Sequence, residues 1–281
     1  MDQFAQDPTL LNAKTVQEIG MHLQNKYGID VDEFINSKFD GRIEGTTPKE
    51  LSVESARQFA LAVDYVKQKY PFVELERIRA DYAKREGFEA KANASAKPKS
   101  VKDPEAPRGV RVVGHDSVTI GYNLATDEDR VAAGAGYVTG QRNRARTSEH
   151  AFENVVYYSI IHEMGHALDN TGQRKSWERI EQELYWAFEE SPEFAAFDPS
   201  KYPNPDTAEK KEREVFNRWL ADKLVSNYSY QGGKRGNEIN MVEAIADAFL
   251  DVEIRGMNSE ELSRLIHRIL IEEAKKAKGV A

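Results

Sequence analysis

The segment His162-Glu163-Met164-Gly165-His166 places two imidazole rings four residues apart. On an α-helix this spacing puts the rings about 40° apart around the axis and one turn apart along it, so that both can bind one metal ion. Glu163 then projects beside the two histidines, where a carboxylate can take a proton from a metal-activated water. The pattern therefore predicts metal-dependent hydrolysis.

Two imidazoles do not complete a catalytic zinc site, which usually has three protein ligands and one open position. Glu243 and Asp247 are the best candidates for the remaining roles, because they share one face of a predicted helix amid apolar neighbours. Glu243 can supply the third ligand. Asp247, one turn later, can accept the outer ring N–H of His162 and fix its tautomer. We therefore predict a Zn²⁺ site formed by His162, His166 and Glu243, with Asp247 behind it.

The elements that must position these residues are two helices. The first is predicted to begin after Thr147 or Ser148 and to run to about Asn170, where a Thr-Gly pair ends it. Its middle is apolar nearly all round, and a helix buried on every side tolerates polar residues only where they are paired or bind something. The second helix is predicted at about 241–254.

These motifs resemble those of a known family. The HEMGH sequence followed by a downstream Glu243-x-x-x-Asp247 helix resembles the gluzincin branch of zinc metallopeptidases. The residues that surround these motifs are similar to those of anthrax lethal-factor-like peptidase domains, including those of bacteriophage proteins. The resemblance covers about 109–254. It implies that His162, His166 and Glu243 bind zinc, that Glu163 is the catalytic base, and that Asp247 supports a ligand.

The resemblance also implies an oxyanion donor and a substrate-binding strand. In lethal-factor-like domains a tyrosine shortly before the third ligand donates to the oxyanion, which makes Tyr228, or alternatively Tyr230, the candidate here. In zincin-like domains a peptide substrate lies along an edge strand, for which the segment 134–139 is the candidate. A three-histidine metzincin site is disfavoured, because Asp169 and Gly172 stand where its glycine and third histidine belong.

The composition of the chain excludes several classes of partner, site and location. The chain has 39 Lys plus Arg against 47 Asp plus Glu, a net charge of −8, which argues against a nucleic-acid partner. No cysteine is present, so a zinc–thiolate site and a cysteine nucleophile are excluded. The N-terminus lacks an apolar core and no apolar run is long enough to span a bilayer, so we expect neither signal peptide nor membrane anchor. A cytoplasmic protein, or cargo of a virion or other delivered assembly, fits these features.

The predicted fold class is α+β, with a small mixed sheet packed on the HEMGH helix and a mainly helical C-terminal half. We expect a helical N-terminal extension over 1–47 and a zincin-like domain over 48–281. Within that domain, 88–108 is predicted to be a mobile loop and 175–225 a helical insertion. Strands are predicted at 110–113, 117–122 and 137–139.

The function that these observations favour is zinc-dependent peptide-bond hydrolysis by a metalloendopeptidase. Two alternatives remain open. One is a structural or virion-associated protein that retains a zincin-like scaffold without catalysis, and the other is an effector protease directed at a host protein. The first predicts bound zinc without turnover, and the second predicts narrow substrate choice.

Overall fold

A computed structural model describes residues 7–82, 93–106, 109–140, 153–224 and 239–280 of the chain. Helices dominate these residues and small sheets accompany them, so the α+β class is confirmed. Among the helices described, none combines the length and the apolar character needed to cross a membrane.

The helices follow the apolar periodicity of the sequence, and most begin at a side chain that caps their first turn. Ser52 accepts a hydrogen bond from the N–H of Ser55, for example, and Asn204 from that of Thr207. The helices are α1 Pro8–Asn12, α2 Val16–Tyr27, α3 Asp32–Ile35, α4 Val53–Lys69, α5 Asp127–Gly140, α6 Val155–Thr171, α7 Ser176–Glu189, α8 Pro192–Ala195, α9 Pro205–Lys223, α10 Met241–Arg255 and α11 Glu261–Ala277.

The main sheet has three strands in the order β3-β5-β4, namely β3 Arg77–Ala80, β4 Ala94–Lys102 and β5 Val110–Ile120. The central strand β5 pairs in parallel with β3 and antiparallel with β4. A separate antiparallel ribbon joins β1 Phe39–Asp40 to β2 Pro48–Lys49. Helix α6 packs across both β5 and β4, so the sheet supports the helix that carries the HEMGH sequence.

The prediction of a loop over 88–108 is wrong for the part that the structure describes. Residues 94–102 form strand β4, which pairs along its length with β5. Alanine, lysine, serine and proline have low strand propensity, but propensity in sheets is overridden by pairing and burial. Ala94 is buried in the core, and the ladder with β5 pairs the backbone groups on one side of a segment that has little else to bury.

The predicted strand at 134–139 is also wrong. These residues belong to helix α5, which extends over Asp127–Gly140. Thr126 and Asp129 hydrogen-bond to each other's backbone N–H groups at the start of this helix, a capping-box arrangement. The predicted strands at 110–113 and 117–122 are one strand, β5, with a bulge opposite Lys97 and Pro98.

The N-terminal helices pack into the same hydrophobic cluster as the rest of the described chain. Leu10, Ile19 and Phe34 are fully buried in that cluster together with residues of α4, α6 and α10. The predicted helical character of 1–47 is confirmed for α1 to α3. Helices α7 to α9 lie within 175–225, where the sequence predicts a helical segment.

A buried carboxylate, Glu253, fixes the C-terminal half of α10. It accepts hydrogen bonds from the hydroxyls of Tyr65 and Tyr70, from Lys69 Nζ at 2.7 Å and from His267 Nε2 at 2.7 Å. Burial alone would raise the pKa of Glu253, but the His267 hydrogen bond and the Lys69 charge lower it to about 2. The carboxylate therefore stays ionised and ties α10 to both α4 and α11.

Candidate metal centre

Helix α6 carries His162, Glu163 and His166 on a segment buried against the sheet, α4 and α10. The two imidazole rings have centroids 4.9 Å apart and lie nearly perpendicular to each other, with an angle of 89° between their planes. His162 and Glu163 are almost fully buried, whereas His166 is partly exposed. The site is therefore held inside the protein but open on the His166 side.

Helix α10 brings a carboxylate from far along the chain to the same place. Glu243 Oε2 lies 3.3 Å from His162 Nε2. The donor atoms of His162, His166 and Glu243 all lie within 4.8 Å of one another, and this is the group of side chains in the described part of the chain that could hold a metal ion. The structure thus brings together the three residues that the sequence predicts as ligands.

Asp247 lies behind the first histidine. Its Oδ1 is 3.1 Å from His162 Nδ1, and its side chain is buried. A carboxylate this close to Nδ1 favours the tautomer with the proton on Nδ1, which leaves the Nε2 lone pair for a metal ion. The structure places Asp247 beside His162, and its role in orienting the ring stays a prediction.

The kinds of donor present fit a zinc ion, and so does the distance between two of them. Around tetrahedral zinc with bonds of roughly 2.0–2.1 Å, ligand atoms lie roughly 3.4 Å apart, which matches the 3.3 Å between His162 Nε2 and Glu243 Oε2. With the proton on Nδ1, the Nε2 lone pair faces a carboxylate oxygen, and these two groups repel each other unless a proton or a cation lies between them. Two imidazoles and one carboxylate are also the ligand set of a known class of catalytic zinc sites.

Glu163 lies beside the donor group. Its Oε2 is 4.0 Å from His166 Nε2, and the side chain is 4% exposed. A carboxylate beside two histidines is the kind of group that can accept a proton from a substrate water. The structure places Glu163 next to His166, and its role as a base stays a prediction.

Asp169 lies outside the donor group, as expected, and organises the turn after α6. It accepts hydrogen bonds from Ser176 Oγ at 2.8 Å and from Trp177 Nε1 at 2.9 Å. Burial raises the pKa of Asp169, while these two hydrogen bonds act in the opposite direction. The residue thus joins the end of α6 to the start of α7.

The end of α6 is also held to the sheet through a buried histidine. Asn170 Nδ2 donates to His115 Nδ1 at 3.1 Å, and Asn170 Oδ1 accepts from Arg174 Nε at 3.2 Å. Burial lowers the pKa of His115 to about 3, so its ring is neutral. The sequence gives no local sign of this contact, because its partners are 55 residues apart.

Tyr228 and Tyr230, the predicted oxyanion donors, lie outside the described residues.

Comparison with protein-family models, with curated proteins and with solved structures finds no match to this chain. The function of this chain is therefore inferred from its sequence motifs and the geometry of the site.

Proposed function

We propose that this protein is a zinc-dependent peptidase of the zincin type. The observation that carries the proposal is the convergence of His162, His166 and Glu243 from two helices, with Glu163 beside them. The HEMGH sequence and the Glu243-x-x-x-Asp247 helix, which resemble those of gluzincins, support it from the sequence side. His162, His166 and Glu243 would bind the metal.

In this mechanism each side chain has a separate task. When bound, zinc supplies a Lewis acid that polarises the scissile carbonyl and makes water nucleophilic at neutral pH. Glu163 accepts a proton from the attacking water and later donates a proton to the leaving amine. Asp247 keeps His162 in its ligand tautomer. Tyr228 stays the predicted donor to the oxyanion.

The proposal is tested by zinc-dependent cleavage of peptides. We expect the full chain, loaded with one equivalent of Zn²⁺, to cleave members of a diverse peptide library. A strong chelator should stop cleavage and added Zn²⁺ should restore it, because catalysis requires the ion. If the zinc-loaded protein cleaves no member of the library, peptidase activity is contradicted and a non-catalytic scaffold is favoured.

The substrate strand must be sought elsewhere than 134–139, because that segment is helical. We propose that a peptide pairs with β4, which forms an edge of the sheet within the described part of the chain and packs against α6. The N–H of Gly121 donates to the C=O of Asn93. Because every second residue of an antiparallel strand bonds to the partner strand, the backbone groups of Ala94 and Ala96 point away from β5. Ala94 is buried, so the half-buried Ala96 is the residue whose outward N–H and C=O can pair with an extended peptide.

Replacing Ala96 with proline removes one outward N–H. Strand β4 already contains Pro98, and proline is tolerated where the missing N–H faces away from the partner strand. We expect KM for a peptide substrate to rise about tenfold, the cost of one hydrogen bond, with zinc affinity unchanged. Steady-state kinetics checks this, with Ala96→Ser, which keeps the N–H, as the control. Equal KM values in both variants would count against binding at β4.

A further inference from the structure

The glycine inside the HEMGH sequence lies at the closest approach of the two helices that form the metal centre. A Cβ atom built on Gly165 would lie 3.0 Å from Ala246 Cα and 3.0 Å from Phe249 Cβ. Ordinary contacts of a Cβ atom are 3.4–4 Å, and the atoms opposite Gly165 belong to the α10 backbone and to the fully buried Phe249 side chain. A side chain at position 165 would therefore push α6 and α10 apart by a few tenths of an ångström, because the atoms that it meets are not the ends of flexible side chains.

The functional residues occupy matching positions around this contact. His162 and His166 lie three residues before and one residue after Gly165. Glu243 and Asp247 lie three before and one after Ala246. At 100° per residue, the positions three before and one after a given residue lie about 40° apart on one flank of the helix and one turn apart along it.

The observed distances show that the histidines of α6 and the carboxylates of α10 lie on the same side of the helix crossing. His162 lies between the two carboxylates, with Nε2 3.3 Å from Glu243 and Nδ1 3.1 Å from Asp247. Any increase in the separation of α6 and α10 at Gly165 therefore lengthens both distances together. Metal coordination tolerates deviations of only about 0.2 Å, so the helix separation acts directly on the site.

We propose that Gly165 is a positioning residue which, by direct contact with Ala246, sets the distance between the two histidine ligands and Glu243. The inference rests on the proposed function. It assigns the fourth residue of the HEMGH sequence a task separate from ligation and from proton transfer. It also predicts that bulk added on either helix at this crossing weakens metal binding without touching a ligand.

The test is the zinc affinity of Gly165→Ala in the full chain, measured by competition with a chromophoric chelator. We expect the dissociation constant for Zn²⁺ to rise about 100-fold, at the upper end of the effect of changes that misplace a ligand. The visible absorption spectrum of the Co²⁺-loaded protein should change as well, because it depends on the positions of the ligands around the ion. Neither readout follows from a loss of stability alone.

Gly172→Ala is the matched control. Gly172 ends the same helix, its φ of −72° suits alanine, and its added Cβ would meet atoms of α11 at 3.4 Å, away from the α10 crossing. We expect this variant to bind zinc like the wild type. Ala246→Val adds bulk at the same crossing from α10, so it provides an independent measurement should Gly165→Ala fail to fold.

The possible outcomes separate this inference from the proposed function. Zinc binding by the wild type and by a folded Gly165→Ala variant within threefold of each other would overturn the positioning role and leave the metal centre intact. Absence of zinc binding by the wild type would overturn the metal centre, and the positioning role with it. A selective loss in Gly165→Ala and Ala246→Val, with Gly172→Ala unaffected, supports the proposal.

Discussion

Replacing Glu163 with glutamine is expected to abolish peptide hydrolysis while zinc stays bound. Glutamine has the size of glutamate but cannot accept a proton, and loss of a positioned general base costs about 10²- to 10⁴-fold in rate. Glu163 is buried beside His166 without belonging to the donor group, so its replacement leaves the three ligands in place. The checks are kcat/KM for a peptide substrate and zinc content, measured on the same sample.

The control for this variant is a glutamate of α7 at the protein surface. Glu189 is exposed at the end of that helix, so Glu189→Gln should retain both activity and zinc. A Glu163→Gln protein with the rate of the wild type would contradict the assignment of Glu163 as the base. Loss of zinc together with activity would place Glu163 among the ligands instead.

Replacing His162 with alanine is expected to reduce zinc affinity by at least about 10³-fold. The change removes a ligand outright, and it also separates Glu243 and Asp247 from the ring that lies between them. Asp247→Asn should have a smaller effect, about 10- to 100-fold, because it alters only the group behind the ligand. The dissociation constants are measured by competition with a chelator of known affinity.

A histidine elsewhere in the chain provides the comparison for His162→Ala. His22 lies on α2, where its Nε2 contacts Asp7 at 2.9 Å, and it does not belong to the donor group. His22→Ala should therefore bind zinc like the wild type. If His162→Ala and His22→Ala show equal affinity, the ion binds outside the predicted site.

The centre of the site could be predicted from the sequence because its signals are local. The HEMGH spacing needs only a helix, and the apolar residues around it predict that helix and its burial. The same holds for Glu243 and Asp247, which lie four residues apart in an apolar helix. Their approach to His162 was inferred from the chemical need for a third ligand. In the structure the two carboxylates lie 3.3 and 3.1 Å from the ring nitrogens of His162.

The sheet was harder to predict because its signals are not local. Strand β4 has a composition typical of a loop and becomes a strand by pairing with β5. The segment 134–139 ends in Tyr, Val and Thr, which have high strand propensity, but a helix begins upstream of it at the Thr126 and Asp129 cap. That cap could have been recognised as a capping box in the sequence. The pairing of β4 could not, since it depends on a partner strand.

The contact made by Gly165 can be predicted from the sequence only in part. A glycine in the interior of a helix costs up to about 1 kcal/mol relative to alanine, so its presence in α6 indicates a close contact with another element. The sequence does not show which element makes that contact. Only the packing of α10 identifies Ala246 as the partner and relates the contact to the ligands.

The most direct test of the account is the zinc stoichiometry of the purified full chain after equilibration with Zn²⁺ and removal of the excess. The arrangement of His162, His166 and Glu243 predicts one zinc ion per chain. It also predicts that this ion is lost in His162→Ala and retained in Glu163→Gln. A wild-type protein that retains no zinc, or a His162→Ala protein that retains a full equivalent, would contradict the metal centre on which the proposed peptidase depends.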